Sequence, residues 1–105
     1  MASGKEYLDA VLEALAEMDD ISYRPMMGEY ILYFRGKVIG GIYDNRFLLK
    51  PTKTAVEMVG NPVFELPYEG AKEMLLVEDM EDRELLRELI TAMVNELPAP
   101  KKRKK

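Results

Sequence analysis

M-M-G-E-Y-I-L-Y-F-R-G-K-V-I-G-G-I-Y-D-N-R-F-L-L-K-P-T, Met26 to Thr52, is the stretch that decides the fold. Its apolar runs, 29–34, 37–43 and 46–50, are separated by the two-residue breaks Arg35-Gly36 and Asp44-Asn45. Glycine, asparagine and aspartate tolerate the positive φ that tight hairpin turns demand, so this spacing predicts an antiparallel meander. The middle run is apolar at both alternating sets, Val38, Gly40 and Ile42 on one and Ile39, Gly41 and Tyr43 on the other, as expected of an inner strand. Gly40-Gly41 offers no side chain to pack, which points to close approach of a helix or another backbone.

Outward from this segment, residues 22–27 contain Pro25, which cannot donate to a ladder, and read as an edge strand or extended lead-in that Gly28 breaks. Upstream, Ser3-Gly4-Lys5-Glu6 matches a capping box, and Tyr7, Leu8, Val11, Leu12, Leu15 and Met18 recur at helical spacing until Asp19-Asp20. Downstream, Thr52 is placed to cap a short helix ending at Gly60-Asn61-Pro62. Residues 63–73 mix apolar residues with Pro67 and Gly70 and read as a loop or short helix across the sheet, and 74–77 as the last strand. A closing helix capped by Asp79 then carries Leu85, Leu86, Leu89, Ile90, Met93, Val94 and Leu97 on one stripe, with Glu81, Asp82 and Glu84 in its first turn.

These elements give an α+β two-layer sandwich of order α-β-β-β-β-α-β-α, its antiparallel meander covered by the N- and C-terminal helices. One domain, residues 1–97, precedes a Pro/Lys-rich tail, 98–105, expected to be disordered because like charges repel and bury nothing. The chain has 105 residues, 48% of them hydrophobic, enough for one self-supporting core. It has no histidine and no cysteine, which removes disulfides, thiolate nucleophiles, the usual zinc ligands and the ordinary neutral-pH base. No residue set resembles an active site, so the expectation is a non-enzymatic protein without cofactor or metal. No apolar run reaches the roughly 20 residues of a membrane span and the N-terminus is polar, so a cytoplasmic location is expected.

The acids Glu78, Asp79, Glu81 and Asp82 are of the type that binds a hard cation, and Glu29 and Glu65 form a carboxylate pair of the type used in glycoside chemistry. Helix capping accounts for the first group and chance, among 19 acids, for the second. Two features suit recognition instead. Met26, Met27, Gly28 and Glu29 stand at a strand junction where methionines are adaptable contact residues. Lys101, Lys102, Arg103, Lys104 and Lys105 could hold nucleic acid weakly and without sequence preference, although residues 1–100 carry 10 bases against 19 acids, a net −9.

Met27-Gly28-Glu29-Tyr30, Leu32-Tyr33, Gly36-Lys37-Val38, Asp44-Asn45-Arg46 and Leu49-Lys50-Pro51-Thr52, then Pro67-Tyr68-x-Gly70-Ala71-Lys72 and Leu97-Pro98-x-Pro100-Lys101-Lys102, form an ordered series over most of the chain. In these the chain resembles the TfoX-like N-terminal domain family, named for the bacterial TfoX or Sxy competence regulators. Glu69 departs from the family pattern, where a second proline is common. The resemblance implies a two-layer fold like that of type III secretion chaperones, often dimeric. It also implies a prokaryotic regulator of gene expression acting through protein partners, and supplies no catalytic residues. The alternatives are a nucleic-acid-associated protein working through the basic tail, and a small ligand-binding domain with a pocket between Gly40-Gly41 and residues 63–73.

Overall fold

The computed structural model describes residues 4–77 and 80–97. In chain order it contains α1 (Lys5–Ala14), β1 (Ile21–Met26), β2 (Glu29–Phe34), β3 (Lys37–Ile42), β4 (Phe47–Leu49), α2 (Lys53–Val59), β5 (Phe64–Glu65), β6 (Met74–Leu76) and α3 (Arg83–Met93), the last continued by a 3₁₀ turn, Val94–Glu96. The six strands form one antiparallel sheet in the order β1-β2-β3-β4-β6-β5, and the chain is a compact α+β fold.

The meander follows from its turns. Met27-Gly28, Arg35-Gly36 and Asp44-Asn45 all have positive φ at both positions, the geometry whose twist matches that of the flanking strands. Tyr43 and Arg46 close the third turn with reciprocal backbone hydrogen bonds of 2.9 and 3.0 Å. β1 is the edge strand anticipated from Pro25, which pairs in register with Tyr30.

Four expectations need correction. The run 63–73 is neither a pure loop nor a helix, because Phe64–Glu65 pairs with β6 and forms the far edge of the sheet. The element order therefore gains a strand, and β6 lies inside the sheet between β4 and β5. The faces of β3 do not alternate simply: Tyr33 pairs with Val38 but Leu32 with Gly40, so Ile39 is an extra, bulged residue. That shift of phase lets Ile39 and Ile42, three residues apart, both enter the helix-side core. The closing helix is capped by Asp82, whose Oδ1 accepts from Leu85 N at 3.1 Å; Asp79, expected as the cap, lies outside the described residues. Finally, α1 starts from Gly4 without a side-chain cap, Ser3 being outside the described residues, and ends at Ala14 rather than Met18.

One face of the sheet is buried against helices. Leu8, Val11, Ala14 and Leu15 of the α1 region and Leu86, Leu89, Ile90, Met93, Val94 and Leu97 of the α3 region meet Leu32, Phe34, Ile39, Ile42, Phe47, Leu49 and Leu75 in one cluster, joined by Ala55 of α2. Each fully buried Leu, Ile or Met contributes about 1.5–3 kcal/mol relative to exposure, so this stripe outweighs any surface ion pair in the molecule. Leu85, placed on that stripe by its spacing, is instead 38% exposed. Thr52 caps α2 as expected, its Oγ1 accepting from Ala55 N at 3.2 Å. Thr54 then ties α2 to the 3₁₀ turn that follows α3, its hydroxyl and amide both donating to the Glu96 carboxylate.

Candidate functional site: the outer face of the sheet

No described helix covers the opposite face. Leu48 lies there, since it is fully buried yet outside the helix-side cluster, and its register neighbours are Gly41 and Leu76. Thus Phe47, Leu48 and Leu49 are all buried, an apolar run that requires cover on both faces. Part of that cover comes from the segment 66–73. Its Pro67 is buried, and one residue, Arg46, fastens it: Nη1 donates to Glu65 Oε1 at 2.7 Å, Nη2 to the Pro67 carbonyl at 3.4 Å, and Nε to the Tyr43 carbonyl at 3.1 Å. A planar guanidinium with a fork of donors suits such a three-way tie.

Tyr43 lies down along the sheet because Gly41 has no side chain. A Cβ on Gly41 would sit 2.8 Å from Tyr43 Cε2 and 2.6 Å from the Tyr30 carbonyl oxygen. The Tyr43 ring also meets Tyr68, with centroids 6.3 Å apart and planes inclined at 58°. Burial raises the Tyr43 phenol above its ordinary pKa, and the nearby Tyr68 and Glu29 charges push it the same way.

The sheet's outer face carries two shallow grooves on either side of this tyrosine pair. The first, about 300 Å³, is lined by Met26, Met27, Glu29, Ile31, Tyr43, Pro67 and Tyr68. Three of the four residues marked from sequence as partner-facing, Met26, Met27 and Glu29, line it, and Gly28 completes the turn beside them. Met26 is 51%, Tyr68 64% and Met27 97% exposed. The Glu29 carboxylate accepts from Asp44 N at 3.1 Å, which fixes the β1–β2 hairpin against the β3–β4 turn. The second groove, about 370 Å³, lies between Gly40 and the 67–74 segment, where the sequence anticipated a pocket.

The basic residues Lys101 to Lys105 lie outside the described residues, as do Glu78 and Asp79. Among the described residues no group of three or more His, Cys, Asp or Glu is placed to hold a metal ion. Of the carboxylate pair, Glu65 is held by Arg46, and Glu29 by Asp44. No described helix is long and apolar enough to cross a membrane. The contributions of Tyr43, Pro67 and Tyr68 were not apparent from sequence, because only the folded sheet brings residues 43 and 67–68 beside residues 26–31.

Fold and outer face together define a small α+β domain with a half-covered six-stranded antiparallel sheet. The chain belongs to the same family as the uncharacterized 12.7 kDa protein in the trpE 5' region of Spirochaeta aurantia, with which it is 37% identical over 105 residues, spanning 99% of this chain and 91% of that relative. No family model matches the chain, and no solved structure matches it.

Proposed function

We propose that this protein is a non-enzymatic recognition domain of the TfoX N-terminal type, which contributes to control of gene expression by docking a protein partner over the outer face around Met27. The observation that carries the reading is Met27 itself. An unbranched apolar side chain, 97% exposed, occupies a left-handed turn position (φ 52°) where asparagine or glycine is preferred. Local preference is violated twice at one residue, and such violations concentrate where function requires them. Arg35 occupies the equivalent position of the next turn with a local contact in return, its guanidinium 4.8 Å from the Phe34 ring centroid. The motif series that resembles TfoX supplies the regulatory role and the secretion-chaperone-like shape.

The test places a photo-crosslinking amino acid at position 27, and separately at Asp9 on exposed α1, in the native host. A discrete adduct with one regulatory protein from position 27, absent from position 9, together with altered transcript levels on gene deletion, is the expected result. Equal adducts from both positions, or an unchanged transcriptome, would refute it. Retention on DNA that weakens steeply with salt and disappears on removal of residues 101–105 would instead favour a nucleic-acid role for the tail.

A further inference from the structure

We propose that the second outer-face groove binds a small planar organic monoanion, an aromatic carboxylate. Its lining includes Gly40 on the sheet, Tyr43 and Tyr68 on one side, and Lys50, Lys72 and Glu73. The tyrosines supply aromatic surface for stacking.

The charge arrangement identifies the ligand's sign. Lys50 and Lys72 are 22 positions apart in sequence, yet the fold lines one groove with both. Neither makes an ion pair among the described residues. Two ammonium groups lining one concavity repel each other, and an anion seated between them relieves that repulsion. Glu73 offsets one of the two, leaving one net positive charge, which matches a monoanion better than a phosphate dianion.

Size and polarity identify the rest. A volume of about 370 Å³ falls at the small end of ligand sites and holds a ring with one substituent. The largely apolar lining favours an aromatic body over a fully hydrated inorganic ion. This ligand would sit beside the Met27 docking patch, the two grooves sharing Tyr43, Pro67 and Tyr68.

The test is an amide chemical-shift titration of the full chain at low salt with benzoate, benzamide and inorganic phosphate. Benzoate is expected to shift the Gly40, Gly41, Ala71 and Lys72 amides saturably, with benzamide and phosphate each at least about fivefold weaker. The double substitution Lys50→Gln/Lys72→Gln, whose fold is checked by its amide spectrum, should raise the benzoate Kd about fivefold or more. No saturable shift, equal binding of benzamide, equal binding of phosphate, or an unchanged Kd in the double variant would each overturn the proposal. The cross-link from position 27 reads the other groove, so the two readings can fail separately.

Discussion

Gly40→Ala isolates the packing that makes the sheet continuous. A Cβ at Gly40 would lie 2.1 Å from the Leu48 carbonyl oxygen, 2.8 Å from Leu49 Cα and 3.0 Å from the Leu48 carbonyl carbon. All three are backbone atoms, so no rotamer change relieves the clash. β4 is only three residues long and held by ladders on both sides, to β3 and to β6. Retreat of about 1 Å would break the Gly40–Leu49 and Gly41–Leu48 pairing and strain the 2.9 Å bond from Lys50 N to the Ile39 carbonyl. Two or three lost hydrogen bonds at about 1 kcal/mol each, added to an overpacking cost of about 1–3 kcal/mol, give roughly 3–6 kcal/mol. Reduced entropy of the unfolded chain returns about 0.4–1 kcal/mol, leaving a net loss of about 4 kcal/mol. For a domain of this size the melting temperature should fall by about 16–32 °C. Gly60→Ala is the internal control: φ is +86° but no atom lies within 4 Å of its Cβ, so only the left-handed penalty of about 1–2 kcal/mol applies. Calorimetry showing Gly40→Ala no worse than Gly60→Ala would refute the packing argument.

The remaining predictions concern the outer face and the contact between Thr54 and Glu96. Met27→Asn should raise stability by about 0.5 kcal/mol, seen as a higher urea midpoint, because asparagine suits the left-handed turn, while weakening the identified partner's Kd by about tenfold; a loss of stability would remove the argument from Met27. Arg46→Ala should cost about 1–2 kcal/mol and accelerate hydrogen exchange over residues 63–73 but not in α1 or α3, because the residue ties Tyr43, Glu65 and Pro67 together. Glu96 is held below the ordinary carboxylate range, first by the Thr54 hydroxyl and then by the Thr54 amide. Its folded pKa is lower than its unfolded one, so its contribution is complete above the unfolded pKa and is lost as pH falls through the folded value. The urea midpoints of wild type and Glu96→Gln should therefore converge toward low pH, and a gap that stays constant would exclude the linkage.

What could be read from the sequence was whatever depends on near neighbours. Three two-residue turns place β2, β3 and β4 almost to the residue, since backbone φ at each turn is decided by the turn residues themselves. Thr52 worked as a cap for the same reason, its acceptor being three residues from its donor. The acids before α3 misled because several could cap, and only the docking of Leu86, Leu89, Ile90 and Met93 selects Asp82. β5 escaped because two residues between Pro62 and Pro67 have no periodicity; the strand exists only by pairing with Leu75 and Met74. The bulge at Ile39 was equally hidden, being a property of the β2–β3 pair. At the candidate site, Met26 and Met27 were legible as methionines beside a turn, whereas Tyr43, Tyr68, Lys50 and Lys72 converge only through long-range pairing.

The position of the proposed docking patch follows from where the second layer of cover stops. Buried on both faces, β4 makes the sheet's centre demand a lid on the side without helices. Segment 66–73 is that lid, but it is short and pinned at Arg46, and on the side of β2 its cover ends at the contact of Tyr68 with Tyr43. Beyond it, Ile31 and Tyr33 of β2 are only half-buried, and Met26 and Met27 stand clear at the hairpin tip. Extending the lid by a few apolar residues would have buried this strip at little cost in loop entropy, which grows slowly with length. Within that segment the sequence instead places the charged run Glu69-Gly70-Ala71-Lys72-Glu73. An apolar strip left open beside a lid that turns polar at that point has the anatomy of an interface, an apolar centre with a charged rim, and a partner seated there would complete the layer that the chain itself begins.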